Sequence, residues 1–152
     1  MKRTHTCGDL SALNLDNEVS LNGWISKSRD LGGLHFIDLR DRYGVTQIVF
    51  NEDINEDAFQ RVKKLGLEDV IGITGKVVSR PADAVNKNIP TGEIDVEVTD
   101  LIVYNESVPP PFDINDRNSA SEDHRLKYRY LELRTRDLQE KMIVQRYYSF
   151  SL

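Results

Sequence analysis

Cysteine and histidine are scarce in this chain of 152 residues. Cys7 is its single cysteine, so no intrachain disulfide can form and no zinc site built on several cysteines is available. The three histidines, at positions 5, 35 and 124, are far apart and follow no metal-ligand spacing. We therefore expect neither a metal site nor a disulfide framework.

Long apolar runs and an excess of basic residues are also missing. No run approaches the roughly 20 apolar residues that span a membrane, and no apolar signal segment follows the first five residues. Lys and Arg number 20 against 25 Asp and Glu, so the formal net charge is −5. A basic field over the whole surface is thereby excluded, and a nucleic-acid site would have to be a local patch. These features predict a cytoplasmic protein.

The composition is otherwise that of a folded domain, with 39% hydrophobic and 30% charged residues. A chain of this length can build one compact unit with a substantial core. Apolar side chains alternate with polar ones in five segments, which is the pattern of half-buried strands. The predicted strands are 18–31, 34–40, 45–50, 69–78 and 92–104.

Between the third and fourth of these strands the apolar spacing becomes helical. The apolar positions are Ala58, Val62 and Leu65. They predict a helix over 55–65, with Asn51 or Asn55 as its N-cap and Gly66 at its end. The polar stretch 82–91 predicts a loop before the fifth strand.

Three strands, one helix and two strands follow one another in the order of an OB-fold. This fold is a five-stranded Greek-key barrel, and its helix lies between strands 3 and 4. We therefore predict an all-β OB-fold domain over residues 1–104. A generic small barrel or an SH3-like unit is the competing interpretation, and the position of the helix favours the OB-fold.

The remaining residues have a different character. Three prolines at 109–111 begin a polar stretch without periodicity, which predicts a stiff linker and hinge over 105–134. Ser121 can begin a short helical turn, and a longer helix is expected over 135–150. Because this last helix has too little apolar surface to fold alone, we expect the chain to belong to a larger protein.

Two side chains on the polar faces of the predicted strands suggest base recognition. Ile37 and Leu39 point to the core, so Phe36 points outward and offers a ring on which a base can stack. Gln47 has the outward position of the third strand, and its amide can donate and accept at one base edge. Taken singly, Phe36 is explained equally well as a side chain that covers the end of the barrel. Gln47 taken singly is explained as a solvated strand residue.

Charged residues accompany them. Arg29 can pair with a base edge or a phosphate, or else form a salt bridge with Asp30 or Asp41. Arg80 is predicted on the outward face of the fourth strand, and Glu93 on that of the fifth. The Glu93 carboxylate suits the adjacent N–H donors of guanine, or is a solvated charge. One aromatic ring, one amide and these charges on one barrel face predict a site for unpaired RNA bases.

Three segments of the sequence resemble a known family. The run from Arg29 to Gln47 is similar to the N-terminal anticodon-binding domain of bacterial-type aspartyl-tRNA synthetases. Residues 91–94 match that domain as well, and residues 125–134 resemble the hinge that leads to the family's catalytic domain. By this resemblance, residues 135–152 begin a truncated catalytic domain.

The resemblance implies a role in anticodon binding for each candidate. Phe36 would stack on the central anticodon uracil, and Gln47 would hydrogen-bond the same base. Arg29 would contact the third base, a cytosine, and Glu93 the first, a guanine or its modified form. Arg80 matches a basic position near the anticodon, whereas Val78 stands where the family tends to be basic.

For the full-length parent, the resemblance implies an ATP- and magnesium-dependent aspartate–tRNA ligase that is a homodimer and binds tRNA. The class II motifs for ATP and amino-acid activation do not occur in these residues, so we expect no cofactor and no catalytic activity in the chain itself. A generic OB-fold module for single-stranded nucleic acid or for protein assembly is the alternative.

Overall fold

The computed structural model describes residues 1–114, 116 and 119–150, and for residue 150 the backbone only. The chain divides into two compact units, Met1–Pro109 and Pro110–Leu152. The first unit consists of the strands β1 (Glu18–Asp30), β2 (Leu34–Arg40), β3 (Val45–Asn51), β4 (Val70–Ser79) and β5 (Ile94–Asn105), the helix α1 (Glu56–Val62) and a 3-10 turn (Ala12–Asn14). The second consists of the helices α2 (Glu122–Lys127), α3 (Arg129–Glu132) and α4 (Arg136–Phe150).

The five strands form a closed barrel. Their order around it is β1-β2-β3-β5-β4, and β4 pairs again with β1. Neighbouring strands are antiparallel except β3 and β5, which run parallel. With α1 between β3 and β4, this arrangement confirms the predicted all-β OB-fold.

The interior of the barrel is filled by every second side chain of each strand. In β2 and β3 the fully buried apolar residues are Ile37, Leu39, Ile48 and Phe50. Helix α1 adds Phe59 to the same core, and its neighbours Ala58 and Val62 are buried with it. The residues between these positions face outward, and they form the surface on which the candidate site lies.

Helix α1 begins as predicted and ends earlier. The Asn55 side chain accepts a hydrogen bond from the Ala58 backbone N–H at 3.0 Å, which is an N-cap. The helix stops at Val62 rather than at residue 65, so the expectation that Gly66 ends it was wrong. Instead, the Gly66 N–H donates to the Asp69 carboxylate at 2.8 Å, and this bond turns the chain into β4.

An extra residue interrupts the pairing of β1 with β2. Ile25 lies opposite Leu39 and Lys27 lies opposite Asp38, so Ser26 has no partner and forms a β-bulge. The Ser26 hydroxyl donates to the Asp38 carbonyl at 2.8 Å, which holds the bulge against β2. Beyond the bulge, the side chains of β1 that face outward are those that unbroken alternation would have turned inward. One extra residue shifts every later side chain to the other face.

In the described residues, the second unit has a small apolar cluster, the short helices α2 and α3, and the longer helix α4. Phe112, Ile114 and Leu131 are buried together. The Ser121 side chain accepts from the His124 N–H and caps α2, as the sequence predicted, and α4 lies in the predicted longer helix. No helix in the described ranges is long and apolar enough to cross a membrane.

The single thiol lies inside the first unit. Cys7 is fully buried, and its backbone N–H donates to the Asp41 carboxylate at 3.0 Å. The Thr46 hydroxyl of β3 donates to the Cys7 carbonyl at 2.7 Å. Burial, with the nearby Asp41 charge, raises the pKa of the Cys7 thiol far above its ordinary value. The thiol is therefore inaccessible and un-ionised while the N-terminal segment stays packed.

We expect the Cys7 thiol to be unreactive in the folded chain. In mildly alkaline buffer, Ellman's reagent should label it at least a hundredfold more slowly than in concentrated urea, because both access and ionisation require the segment to open. Cys7→Ser provides the baseline without a thiol. Equal labelling rates in buffer and urea would contradict this packing.

Candidate nucleic-acid interface

Three neighbouring strands bring Arg29, Phe36 and Gln47 to one outward face of the barrel. Arg29 lies directly opposite Phe36 in the β1–β2 ladder, and Gln47 lies opposite Asp38 in the β2–β3 ladder. Unbroken alternation from Val19 would have turned Arg29 inward, so the bulge at residue 26 is what gives it this face. We call this group, with Asp38, the strand cluster.

Arg29 joins the polar members of the strand cluster. Its Nη2 donates to the Gln47 Oε1 at 2.9 Å and to the Asp38 Oδ1 at 3.2 Å. The sequence suggested Asp30 or Asp41 as its salt-bridge partner, whereas the partner in the structure is Asp38. About half of the Arg29 side chain remains exposed (53%), so a guanidinium held by two residues also faces solvent.

Phe36 lies beside this polar group on β2. Its ring is half-buried, with Arg29 on one neighbouring strand and Val49 on the other. A half-buried ring has a fixed orientation and still offers surface to a ligand. Since an unpaired base stacks on aromatic surface, Phe36 can receive a base next to the hydrogen-bonding groups of Arg29 and Gln47.

Arg80 lies after β4 rather than within it, and its side chain is buried against Asp95 rather than open to solvent on the outward face, as the sequence analysis had expected. It follows the strand, its side chain is 3% exposed, and its Nε and Nη2 donate to the Asp95 Oδ1 at 3.1 and 2.7 Å. Its Nη2 also donates to the Ile94 carbonyl at 3.0 Å. Within β4 itself, the residue opposite Asp95 is the uncharged Val78, so the cation that pairs with Asp95 comes from Arg80 just beyond the strand. Arg80 neutralises the buried Asp95 carboxylate, because an isolated charge there would be costly.

Asp95 is the residue of the site that sequence reasoning missed. Burial raises the pKa of its carboxyl above the ordinary value, while the charge and hydrogen bonds of Arg80 oppose the rise. Gln47 is its neighbour on β3, because Ile48 lies opposite Val96 in the parallel β3–β5 ladder. The signal was present in the sequence: Ile94 and Val96 point to the core, so the residue between them has the outward position on β5.

Glu93 lies at the edge of this group, one residue before β5 rather than within the strand. Its side chain is exposed, and its carbonyl accepts from the Arg80 N–H at 2.9 Å. The loop before it is tied to β3, because the Thr91 hydroxyl donates to the Val45 carbonyl at 2.6 Å. At Gly92 a Cβ would lie 1.8 Å from the Asn86 carbonyl oxygen, so only glycine fits there.

The described residues contain no group of three or more His, Cys, Asp or Glu side chains placed to hold a metal ion. The chemistry that the site offers is stacking on Phe36 and hydrogen bonding by Arg29, Gln47 and Glu93. Such a combination suits an unpaired nucleotide better than a duplex, whose base faces are covered.

A family described as an OB-fold nucleic acid binding domain, of the tRNA anticodon type, matches residues 19–104. The chain belongs to this family. The matched region comprises nearly all of the barrel and all the residues of the strand cluster. It agrees with the resemblance drawn from the run between Arg29 and Gln47.

Relatives of this OB-fold domain include two bacterial ligases. The chain is 48% identical over 151 residues to the aspartate–tRNA ligase of Bacteroides thetaiotaomicron. It is 48% identical over 145 residues to the aspartate–tRNA(Asp/Asn) ligase of Anaeromyxobacter dehalogenans. Both alignments cover 95% of this chain, against 25% and 24% of the relatives, so the chain spans about a quarter of the length of these curated relatives.

Solved structures show the same architecture. An asparaginyl-tRNA synthetase from Pyrococcus horikoshii is 27% identical, with a TM-score of 0.78 over 93% of this chain and 32% of that one. An aspartyl-tRNA synthetase from Entamoeba histolytica, 21% identical, has a TM-score of 0.76 over 88% of this chain and 33% of that one. The second likeness shows the fold alone, and both agree with the OB-fold barrel.

The burial of Arg80 predicts a structural effect of its removal. We expect Arg80→Ala to lower the free energy of unfolding by about 3–5 kcal/mol, since it leaves the Asp95 carboxylate buried without its cation. Urea unfolding followed by circular dichroism measures the change.

Lys76→Ala is the matched control. Lys76 is an exposed cation of β4 that pairs with the exposed Asp16 at 2.8 Å, and its loss should leave the free energy of unfolding nearly unchanged. If both variants lose equally little stability, Arg80 is a surface cation, as the sequence analysis expected.

Proposed function

We propose that this chain is the anticodon-recognition module of an aspartate–tRNA ligase. The observation that carries the proposal is the strand cluster: a half-buried ring beside an amide and a guanidinium that hydrogen-bond each other on the outward face of an OB-fold barrel. OB-folds bind oligonucleotides through this part of the barrel. The names of the relatives support tRNA as the oligonucleotide.

Each candidate has a proposed role in the anticodon. Phe36 stacks on the central uracil, and Gln47 hydrogen-bonds the edge of that base. Arg29 contacts the third base, a cytosine, and Glu93 accepts hydrogen bonds from the first, a guanine or its modified form. Arg80 supports the site through Asp95 instead of touching RNA, because its side chain is 3% exposed.

We further propose the activity of the full-length parent, which attaches aspartate to its tRNA in the cytoplasm as an ATP- and magnesium-dependent homodimer. The relatives named as ligases support this, and the chain matches about a quarter of each. In this proposal residues 105–134 are the linker and hinge, and residues 135–152 begin the catalytic domain. ATP and magnesium act in that domain, and the chain by itself is inactive.

The Phe36 ring is expected to stabilise the complex with RNA by stacking. Phe36→Ala should weaken binding to an anticodon stem-loop of the aspartate tRNA by about 1–3 kcal/mol, because base stacking is lost. Fluorescence anisotropy at one fixed salt concentration measures the affinities of the two proteins. When the titration is repeated at higher salt, the affinity of the parent chain should fall.

Two variants separate stacking from other effects. Phe36→Tyr keeps the ring and should bind within about threefold of the parent chain. Tyr43→Ala removes an exposed ring from the turn after β2, at the other end of that strand, and should leave binding unchanged. Equal affinity of Phe36→Ala and the parent chain would contradict the proposal.

The Gln47 amide is expected to determine base selectivity. Gln47→Ala should reduce discrimination at the central anticodon position, because a bidentate amide contact contributes about 1–3 kcal/mol against a wrong base. Titrations with stem-loops that differ only at that position measure the ratio of dissociation constants. A generic OB-fold module would instead bind all of these loops, and unrelated single-stranded DNA, with similar affinity.

A further inference from the structure

His35 is a buried histidine directly beneath the candidate interface. It has the inward position on β2 that Ile37 and Leu39 also have, and it is only 5% exposed. The next residue along the strand is Phe36, whose side chain leaves the opposite side of the same backbone. A movement of the strand at His35 therefore also moves the ring on which a base is proposed to stack.

A hydrogen bond joins His35 to β1 on the inner side of the ladder. The Nε2 atom of the His35 ring lies 2.7 Å from the Ser28 Oγ. Ser28 directly precedes Arg29, and Arg29 lies opposite Phe36 in the β1–β2 ladder. The contact between His35 and Ser28 thus links the two strands beneath the two residues of the strand cluster that they carry on their outer side.

Two charged groups act on His35 from the neighbouring elements. Asp30 lies opposite it on β1, and Lys63 is the C-cap residue of α1. These two side chains form a salt bridge, with the Lys63 Nζ 3.7 Å from the Asp30 carboxylate. On β3 the residue opposite His35 is the apolar Phe50. The ring therefore has one anion and one cation close by, and an apolar neighbour on its other strand.

The surroundings of His35 favour the neutral ring. Its Nδ1 is buried and has no hydrogen-bond partner among the described residues. Burial lowers the pKa of the ring below its ordinary value, while the Asp30 charge opposes this change and the Lys63 charge adds to it. An imidazolium has a donor on each nitrogen, so protonation would leave a buried Nδ1–H without an acceptor.

We propose that His35 is a positioning residue for the strand cluster, and that its protonation releases the inner side of the β1–β2 ladder and weakens RNA binding in acid. A charged ring is better solvated when it turns out of the barrel end into water, and Ser28 then loses its partner. Arg29 and Phe36 lose the support beneath them. This role rests on the proposed function, in which both of these residues contact RNA.

The direction of the pH effect follows from the two positions of the ring. A ring released into water takes up a proton near the ordinary pKa of about 6.5, whereas the ring inside the barrel has a lower pKa. The closed ladder therefore has its full stability above that ordinary value. As the pH falls below it, toward the pKa of the buried ring, protons bind preferentially to the released form, and the closed form loses population.

RNA titrations at two pH values measure the effect on binding. An anticodon stem-loop of the aspartate tRNA is titrated at about pH 7.5 and about pH 5.5 against the parent chain and His35→Leu, whose side chain cannot be protonated. Between these conditions the affinity of the parent chain should fall by about threefold or more beyond any fall seen with His35→Leu. Acid effects on the RNA itself are common to both proteins and cancel in this comparison.

Two further variants serve as controls. His5→Gln combined with His124→Gln leaves His35 as the only histidine, and it should keep the full pH effect. His35→Gln is also uncharged at every pH, and it replaces His35→Leu if that variant does not fold. An equal pH dependence of binding in the parent chain and in the uncharged variant overturns the proposal, and so does an affinity that rises in acid only in the parent chain.

The release can also be measured without RNA. In proton NMR spectra of the parent chain, the His35 ring should titrate below the ordinary pKa. The amides of residues 28–30 and 35–37 should lose protection from hydrogen exchange over the same pH range, relative to amides of the β4–β5 ladder. A ring that titrates at the ordinary value, or protection that stays constant through its titration, overturns the proposal.

These spectra separate the proposal from the proposed function. If the stem-loop binds the parent chain at neither pH, the proposed function fails, and the ring titration and the amide exchange still decide whether protonation of His35 releases the ladder. If the loop binds equally well at both pH values while the His35 ring becomes protonated between them, the proposed function stands and the positioning role of His35 is overturned.

Discussion

One extra residue in β1 decides how the candidate interface is assembled. Ser26 has no partner on β2, and its hydroxyl is fixed to the Asp38 carbonyl at 2.8 Å. Before the bulge, β1 supplies Val19, Leu21 and Ile25 to the core. After it, the strand presents Arg29 on the outside, opposite Phe36. A single strand thereby serves the core at one end and the candidate interface at the other, which uninterrupted alternation could not achieve.

The second constraint is electrostatic. A chain with a net charge of −5 must keep its cations in defined places if it is to bind a polyanion. Here one arginine is half-exposed and tied to Asp38, and another is buried against Asp95. Only the first faces solvent, so the second acts on the interface through the carboxylate that it neutralises. Local pairing of this kind orders the polar groups of the candidate interface, so that the proposed recognition would not require a broad basic surface.

Local patterns predicted most of the fold. Alternation located all five strands to within one or two residues, and it placed Phe36 and Gln47 outside the barrel because period 2 is a property of the strand itself. The N-cap of α1 could also be predicted from the sequence, since Asn55 acts on the first turn of its own helix. The end of α1 could not be predicted in this way. The chain after the helix is turned by a hydrogen bond to Asp69, which lies outside the helical pattern.

The sequence by itself determined the order of strands and helix, and with it the OB-fold, since each element is specified by residues close together in the chain. Only the tertiary structure decided the face of Arg29, the burial of Arg80 and the participation of Asp95. These depend on the register between strands and on ion pairs between residues that are distant in sequence. Alternation describes one strand at a time and contains no information about which charges meet when the barrel closes.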